Sequence, residues 1–167
     1  MVDDVIARID SVLENAPKVG YKASIIRGYI NSVRSLITDL KEAIRKIDCI
    51  GEAKGLCRDG GCFIDCSKSF KITSDGKTIL GKYYSNAFGA IIEDNTIAID
   101  SGSTKVIIFG SILKVKVLSV DGWSEREIDL RDYDDVYRNG YMIKYAINNI
   151  ARPVRKIITA LVECAKR

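Results

Sequence analysis

A 26-residue amphipathic stretch, from Lys22 to Ile47, constrains the fold of this chain more than any other segment. Its apolar side chains recur at spacings of three and four, and no proline interrupts them. At 3.6 residues per turn, this pattern places them on one wide stripe of a helix about 39 Å long. We therefore expect the other elements to pack against this helix. The apolar positions are Ile26, Tyr29, Ile30, Val33, Leu36, Ile37, Leu40, Ala43, Ile44 and Ile47.

Three shorter helical patterns flank the long one. Residues 3–16 are predicted to form a first helix that Pro17 and Gly20 end, and the short link indicates an antiparallel hairpin with the long helix. A third helix is predicted to begin near Asp132. Pro153 is expected to break or kink it before a final amphipathic helix, because proline restricts the residue that precedes it.

The period of the pattern changes to two between the helical segments. Apolar and polar residues alternate there, and turn dipeptides such as Asp121-Gly122 separate the runs. The sequence therefore predicts an α+β fold. It comprises a helical bundle of two N-terminal and two C-terminal helices, residues 1–50 and 131–167, with an inserted antiparallel β-meander of six or seven strands, residues 51–130.

Composition suggests where in the cell the protein is located and what kind of organism it comes from. The 167 residues include 25 isoleucines and no glutamine, a bias that favours a thermophile, and we expect an archaeal one. The longest apolar runs are only a few residues, far below the roughly 20 that a membrane-spanning helix needs. The N-terminus also lacks the pattern of a secretory signal. We expect a cytoplasmic protein without a membrane partner.

The absence of histidine limits the chemistry. The chain alone cannot build a Ser-His-Asp triad or a histidine-ligated metal centre, and a cysteine nucleophile would lack its usual base. The sequence therefore predicts a protein that is not an enzyme and has no cofactor. A small enzyme that depends on an aspartate or a cysteine is the less favoured alternative.

Four of the five cysteines, Cys49, Cys57, Cys62 and Cys66, lie within 18 residues, and Cys164 lies far from them. Their spacings do not match the paired knuckles of structural zinc sites. We predict a disulfide among the first four and no metal. Free buried thiols and a metal site are the alternatives.

The segment Asp100-Ser101-Gly102-Ser103-Thr104 resembles two motifs. One is the Asp-Ser/Thr-Gly-Ser/Thr signature of aspartic proteases, and the other is the phosphate loop of the actin-like ATPases and sugar kinases. A protease needs two such carboxylates, and the ATPase fold needs more chain than the 67 residues that follow Asp100. We therefore expect a polar hairpin loop whose aspartate is exposed or caps local backbone N–H groups.

Four tyrosines recur at a spacing of four, at Tyr133, Tyr137, Tyr141 and Tyr145. On a helix they follow one slowly winding face. Aromatic rings with basic neighbours can stack on unpaired bases. The alternative is that the rings pack against the sheet or the long helix.

Positive charge is concentrated near the C-terminus, where residues 131–167 carry eight basic and four acidic side chains. If the helices pack side by side, their basic residues form one surface for nucleic-acid phosphates. Such a surface binds independently of the nucleic-acid sequence. A solvated helix face is the alternative. The predicted contact residues are Arg27, Arg34, Lys41, Arg138, Lys144, Arg152, Arg155 and Lys156.

These features predict a binding or assembly subunit of a nucleoprotein complex. In architecture, a helical bundle with an inserted β-domain resembles the small subunit of archaeal CRISPR surveillance complexes, although no residue motif carries that resemblance. The alternative is a structural, viral-type protein. Its long helix would pair with another protein or with a second copy of the chain.

Overall fold

The computed structural model describes residues 2–67, 70–74, 78–83 and 86–166. Within these ranges the chain is α+β with four helices and one antiparallel sheet, so the predicted class and the antiparallel sheet are confirmed. The helices are α1 Val2–Glu14, α2 Tyr21–Ala53, α3 Tyr133–Arg138 and α4 Gly140–Ala165. The strands are β1 Cys57–Arg58, β2 Gly61–Ser67, β3 Phe70–Ser74, β4 Thr78–Tyr83, β5 Asn86–Glu93, β6 Thr96–Asp100, β7 Thr104–Phe109, β8 Ile112–Ser119 and β9 Gly122–Asp129.

The long helix α2 extends beyond its predicted end at Ile47 and stops at Ala53. Ile47 and Gly51 are both buried, four residues apart on the same face. A Cβ atom at Gly51 would lie 2.6 Å from Sγ of Cys57. Glycine is therefore required at this position, because the helix passes very close to the beginning of the sheet.

The C-terminal helical region is divided at Asn139, which ends α3 and precedes α4. Asp132 caps α3, since its side chain accepts a hydrogen bond from the Asp135 N–H at 3.2 Å. At the start of α4, the Gly140 backbone lies so close to the Tyr29 ring that a Cβ atom would overlap it. The division therefore allows α4 to begin in close contact with α2.

The predicted break at Pro153 is wrong, because α4 continues through it. Proline lacks the N–H that would complete the helical ladder. Pro153 is itself buried, and so are Ile150, Val154 and Ile157 around it. Packing of this apolar face compensates for the missing hydrogen bond, an effect that local sequence rules do not include.

The described strands form a single antiparallel meander of nine, in the order β1 to β9, whereas six or seven were predicted. One addition is the short strand β1, which forms a hairpin with β2 in which Cys57 pairs with Cys62 and Arg58 with Gly61. Its turn residues, Asp59 and Gly60, both have positive φ. That Asp-Gly pair is a strong hairpin signal, but β1 has only two residues, too few for an alternating pattern to show.

The helices cover one face of the sheet. α2 contacts β1 to β3, and α4 contacts β4, β5, β7 and β8. Alternate strand residues point toward the helices, and they form one apolar cluster with the buried faces of the helices. The buried Thr104 hydroxyl accepts a hydrogen bond from Nδ2 of Asn149 on α4, at 3.2 Å. The division into a bundle and an inserted sheet domain stays a prediction.

The opposite face of the sheet carries no helix of the described chain, and large apolar side chains remain exposed there. They include Phe63, Leu80, Ile91, Phe109 and Trp123. No helix among the described residues is long and apolar enough to cross a membrane.

Candidate functional site

One face of α4 is exposed along most of the helix. We call it the α4 face. Its positions recur at spacings of three and four, and at about 100° per residue they fall on a stripe about 120° wide. The buried residues of α4 occupy the opposite side, against the sheet and α2. The exposed residues are Tyr141, Lys144, Tyr145, Asn148, Arg152, Arg155, Lys156, Thr159, Val162 and Glu163.

The α4 face is electropositive because it carries four cationic side chains and one acidic one, Glu163, which pairs with Lys166 at 3.6 Å near the end of the helix. Arg155 has an ion-pair partner, since its Nε lies 3.6 Å from Oδ2 of Asp39 on α2. Lys144, Arg152 and Lys156 form no ion pair with any described residue. These three charges are therefore available to an anionic ligand.

The tyrosine series is divided between two helices. The Tyr133 hydroxyl donates to the Val12 carbonyl at 2.8 Å and thereby attaches α3 to α1. Tyr137 lies beneath the ammonium group of Lys22, 4.8 Å from ring centroid to Nζ. Tyr141 is 86% exposed and Tyr145 is 50% exposed. The alternative that the rings pack against the sheet or the long helix is therefore wrong for Tyr141 and Tyr145. Their rings are accessible beside the basic residues of α4.

The predicted contact residues on α2 are occupied by α1 and by the link that follows it. Arg27 donates hydrogen bonds to the carbonyls of Pro17 and Ala16, at 2.8 and 3.1 Å, in that link. Arg34 pairs with Asp10 at 2.5 Å.

Lys41 pairs with Asp3 in the same hairpin, and its hydrogen bond holds the pKa of Asp3 below the ordinary value. Arg138 pairs with Asp135 on its own helix, at 3.4 Å. The structure therefore brings only Lys144, Arg152, Arg155 and Lys156 together, out of the eight predicted residues.

The cysteines have different environments. Cys57 and Cys62 form a disulfide that joins β1 to β2, and Cys49 is an exposed free thiol on α2. Cys164 on α4 is also disulfide-bonded. The side chain of Cys66 lies outside the described part of the structure. Among the described residues, no group of three or more Cys, Asp or Glu side chains is arranged to hold a metal ion.

Asp100 ends β6, and its carboxylate caps the following turn. Oδ1 accepts a hydrogen bond from the N–H of Gly102 at 2.7 Å, and Gly102 has a φ of 93°. Nζ of Lys105 lies 3.7 Å from Oδ2. This is the local capping geometry expected for a polar hairpin loop.

The loop borders a concavity that the sequence reasoning missed, a cavity of about 800 Å³ on the open face of β4 to β7. We call it the sheet groove. A signal for it was present in the sequence. Three consecutive outward positions of β5, Ala87, Gly89 and Ile91, carry no polar side chain, whereas the outward positions of β8 include Lys114 and Lys116. The outward residues at its centre, Gly89 and Ala98, are small.

A scan against protein-family models found no match, and searches of curated proteins and of solved structures found none either.

Proposed function

We propose that this protein is a non-enzymatic nucleic-acid-binding subunit, and that the α4 face is its contact surface. The observation that carries this proposal is the combination on one helix of four cations, a single acidic side chain that pairs with Lys166 near the helix end, and two exposed tyrosine rings. Cations supply the sequence-independent attraction to phosphates. Exposed aromatic rings supply stacking on unpaired bases.

The arrangement favours single-stranded nucleic acid. Tyr141 and Tyr145 lie one helical turn apart on the α4 face, and Lys144 lies between them in sequence. Rings beside a cation offer stacking and phosphate contacts to successive nucleotides. Bases within a duplex are already stacked on each other and do not present their faces to side chains.

The contact surface is smaller than the sequence suggested. Arg34 and Lys41 are paired with carboxylates of the α1–α2 hairpin, and two N–H groups of Arg27 are bonded to backbone carbonyls, so these three residues contribute less to phosphate binding. Arg155 already forms an ion pair with Asp39. We therefore assign the main electrostatic contribution to Lys144, Arg152 and Lys156.

The test is a salt titration of oligonucleotide binding by fluorescence anisotropy. The variant Lys144→Ala/Arg152→Ala/Lys156→Ala is compared with wild type on a labelled single strand, starting at about 50 mM salt, where electrostatic binding is strong. Each lost phosphate contact on a single strand lowers the log–log salt slope by about 0.7, so the slope should flatten by about 2.

The matched control removes three exposed cations from elsewhere, as Lys54→Ala/Arg58→Ala/Arg126→Ala. It has the same net charge as the α4 variant and should retain most of the slope. Equal losses in the two variants would show that binding follows overall charge and not the α4 face. No binding by wild type at about 50 mM salt would refute the nucleic-acid proposal.

A further inference from the structure

The sheet groove is built by two adjacent cross-strand rows on the open face of the sheet. In the first row, Leu80 pairs with Gly89, Gly89 with Asp100, and Asp100 with Lys105. The second row consists of Thr78, Ile91, Ala98 and Ile107. Large side chains therefore flank the small central residues, and this difference in size creates the concavity.

The lining changes in polarity from one end of the groove to the other. Ile91, Ala98 and Ile107 line the end nearer the β5–β6 turn. The other end holds Lys82, Lys105, Asp100 and the turn after β6. The groove thus has an apolar end and a charged end.

The charged end favours an anion. The Asp100 carboxylate already accepts a hydrogen bond from the Gly102 N–H and lies 3.7 Å from the Lys105 ammonium. Lys82 is exposed and has no ion-pair or hydrogen-bond partner among the described residues. One cation is therefore left in excess beside an apolar channel.

We propose that the sheet groove binds a single-chain amphiphile with an anionic head, such as a long-chain monocarboxylate. The head lies beside Lys82 at the charged end, and the chain lies along Leu80, Ile91 and Ile107. Leu80 is 57% exposed and Ile91 is 48% exposed. Covering such side chains with a hydrocarbon chain removes apolar surface from water.

The shape of the groove favours a small molecule over a protein surface. A volume of about 800 Å³ is within the range of roughly 300–1,000 Å³ that small-molecule sites occupy. A Cβ atom at Gly89 would lie 3.2 Å from Cδ2 of Leu80, so even one added carbon would crowd the centre. The groove lies across the sheet from α4, and its occupant is independent of the proposed nucleic-acid surface.

The experiment is isothermal titration calorimetry of the full chain with octanoate, decanoate and dodecanoate below their micelle concentrations. Dodecanol serves as the uncharged comparison. We expect one ligand per chain, and each added methylene should tighten binding by up to about fourfold while the chain is still being buried. Dodecanoate should bind more tightly than dodecanol.

Two variants probe the two ends of the groove. Ala98→Phe fills the apolar end and should abolish saturable dodecanoate binding. Lys82→Met should weaken dodecanoate binding and leave dodecanol binding unchanged. Phe109→Ser is the matched control, because Phe109 is an exposed apolar residue of the same sheet face that does not line the groove.

Several results would overturn the proposal. They are absence of saturable binding, affinity independent of chain length, or equal weakening by Phe109→Ser, which would indicate general exposed apolar surface. A monomer–dimer equilibrium in analytical ultracentrifugation that Ala98→Phe abolishes would identify a second copy as the occupant instead. The chain-length series in wild type and the Lys82→Met comparison decide the question even if Ala98→Phe does not fold.

Discussion

Arg155 on α4 lies 3.6 Å from Asp39 on α2, Nε to Oδ2, so one cation of the α4 face also joins the two longest helices. Burial raises the pKa of Asp39, and the positive charge of Arg155 only partly opposes that effect. The pair therefore couples the candidate binding surface to the packing of the helices.

Replacing Asp39 with Asn should change the pH dependence of stability. The folded carboxyl has a raised pKa, so it binds a proton more tightly than the unfolded chain does. The folded state therefore loses relative stability as pH rises through that pKa, and the Asn variant lacks this loss. Urea unfolding of both proteins between about pH 3 and 7 measures the difference.

The comparison with wild type also controls for other carboxylates. The hydrogen bond from Arg45 lowers the pKa of Glu42 to about 2, which gives stability that is lost as pH falls toward that value. This contribution is common to both proteins and cancels. Asp39→Asn should also tighten oligonucleotide binding, because Arg155 is released. Identical pH profiles for the two proteins would contradict the assigned pKa direction.

Replacing Tyr141 or Tyr145 with Ala should weaken single-strand binding by roughly 1–3 kcal/mol for each base that loses its stacking partner. Phe substitutions should retain most of the affinity, since the ring is preserved. Tyr21→Ala is the control, because Tyr21 is an exposed tyrosine that belongs to α2 and is not part of the α4 face. Unchanged dissociation constants for both Tyr141→Ala and Tyr145→Ala would show that these tyrosines do not contribute to binding.

Replacing Leu40 with Ala should cost about 2–5 kcal/mol of unfolding free energy, because Leu40 is fully buried in the shared core. Leu36 occupies an equivalent buried position one turn earlier and should behave in the same way. Thr38→Ala, at an exposed position of the same helix, should change stability by less than about 0.5 kcal/mol. Denaturant titration followed by circular dichroism measures the unfolding free energy of all three variants. Similar losses for the leucine variants and Thr38→Ala would mean that the apolar stripe of α2 is not part of the core.

Removing the disulfide between β1 and β2 should have a moderate effect. The bridge closes a short loop, with a sequence separation of 5, so the entropy model predicts a loss of about 2 kcal/mol for Cys57→Ser/Cys62→Ser. Thermal unfolding of the variant and wild type without reductant provides the measurement. A thiol assay of the unfolded, unreduced wild type checks the bond directly, because reactive thiols at Cys57 and Cys62 would show that it does not form.

Patterns along the chain predicted most of the elements. The apolar spacing from Ile26 to Ile47 predicted α2, and apolar–polar alternation predicted much of the meander. Both signals are local, since they depend on residues within one helical turn or one hairpin. The same locality explains the error at Pro153, where burial of the proline against distant residues decides whether the helix continues.

The two candidate sites, the α4 face and the sheet groove, could not be predicted in this way, because they depend on contacts between residues far apart in sequence. Nothing near Arg34 in sequence indicates that Asp10 neutralises it, because that pairing exists only after α1 folds back on α2. The sheet groove likewise requires strand register, since Gly89 and Ala98 form a depression only when their outward positions lie between Leu80 and Ile107. The sequence by itself determined which faces are apolar or basic, and only the tertiary structure decided which of them stay uncovered, because long-range packing selects the contacts that neutralise charge and exclude water.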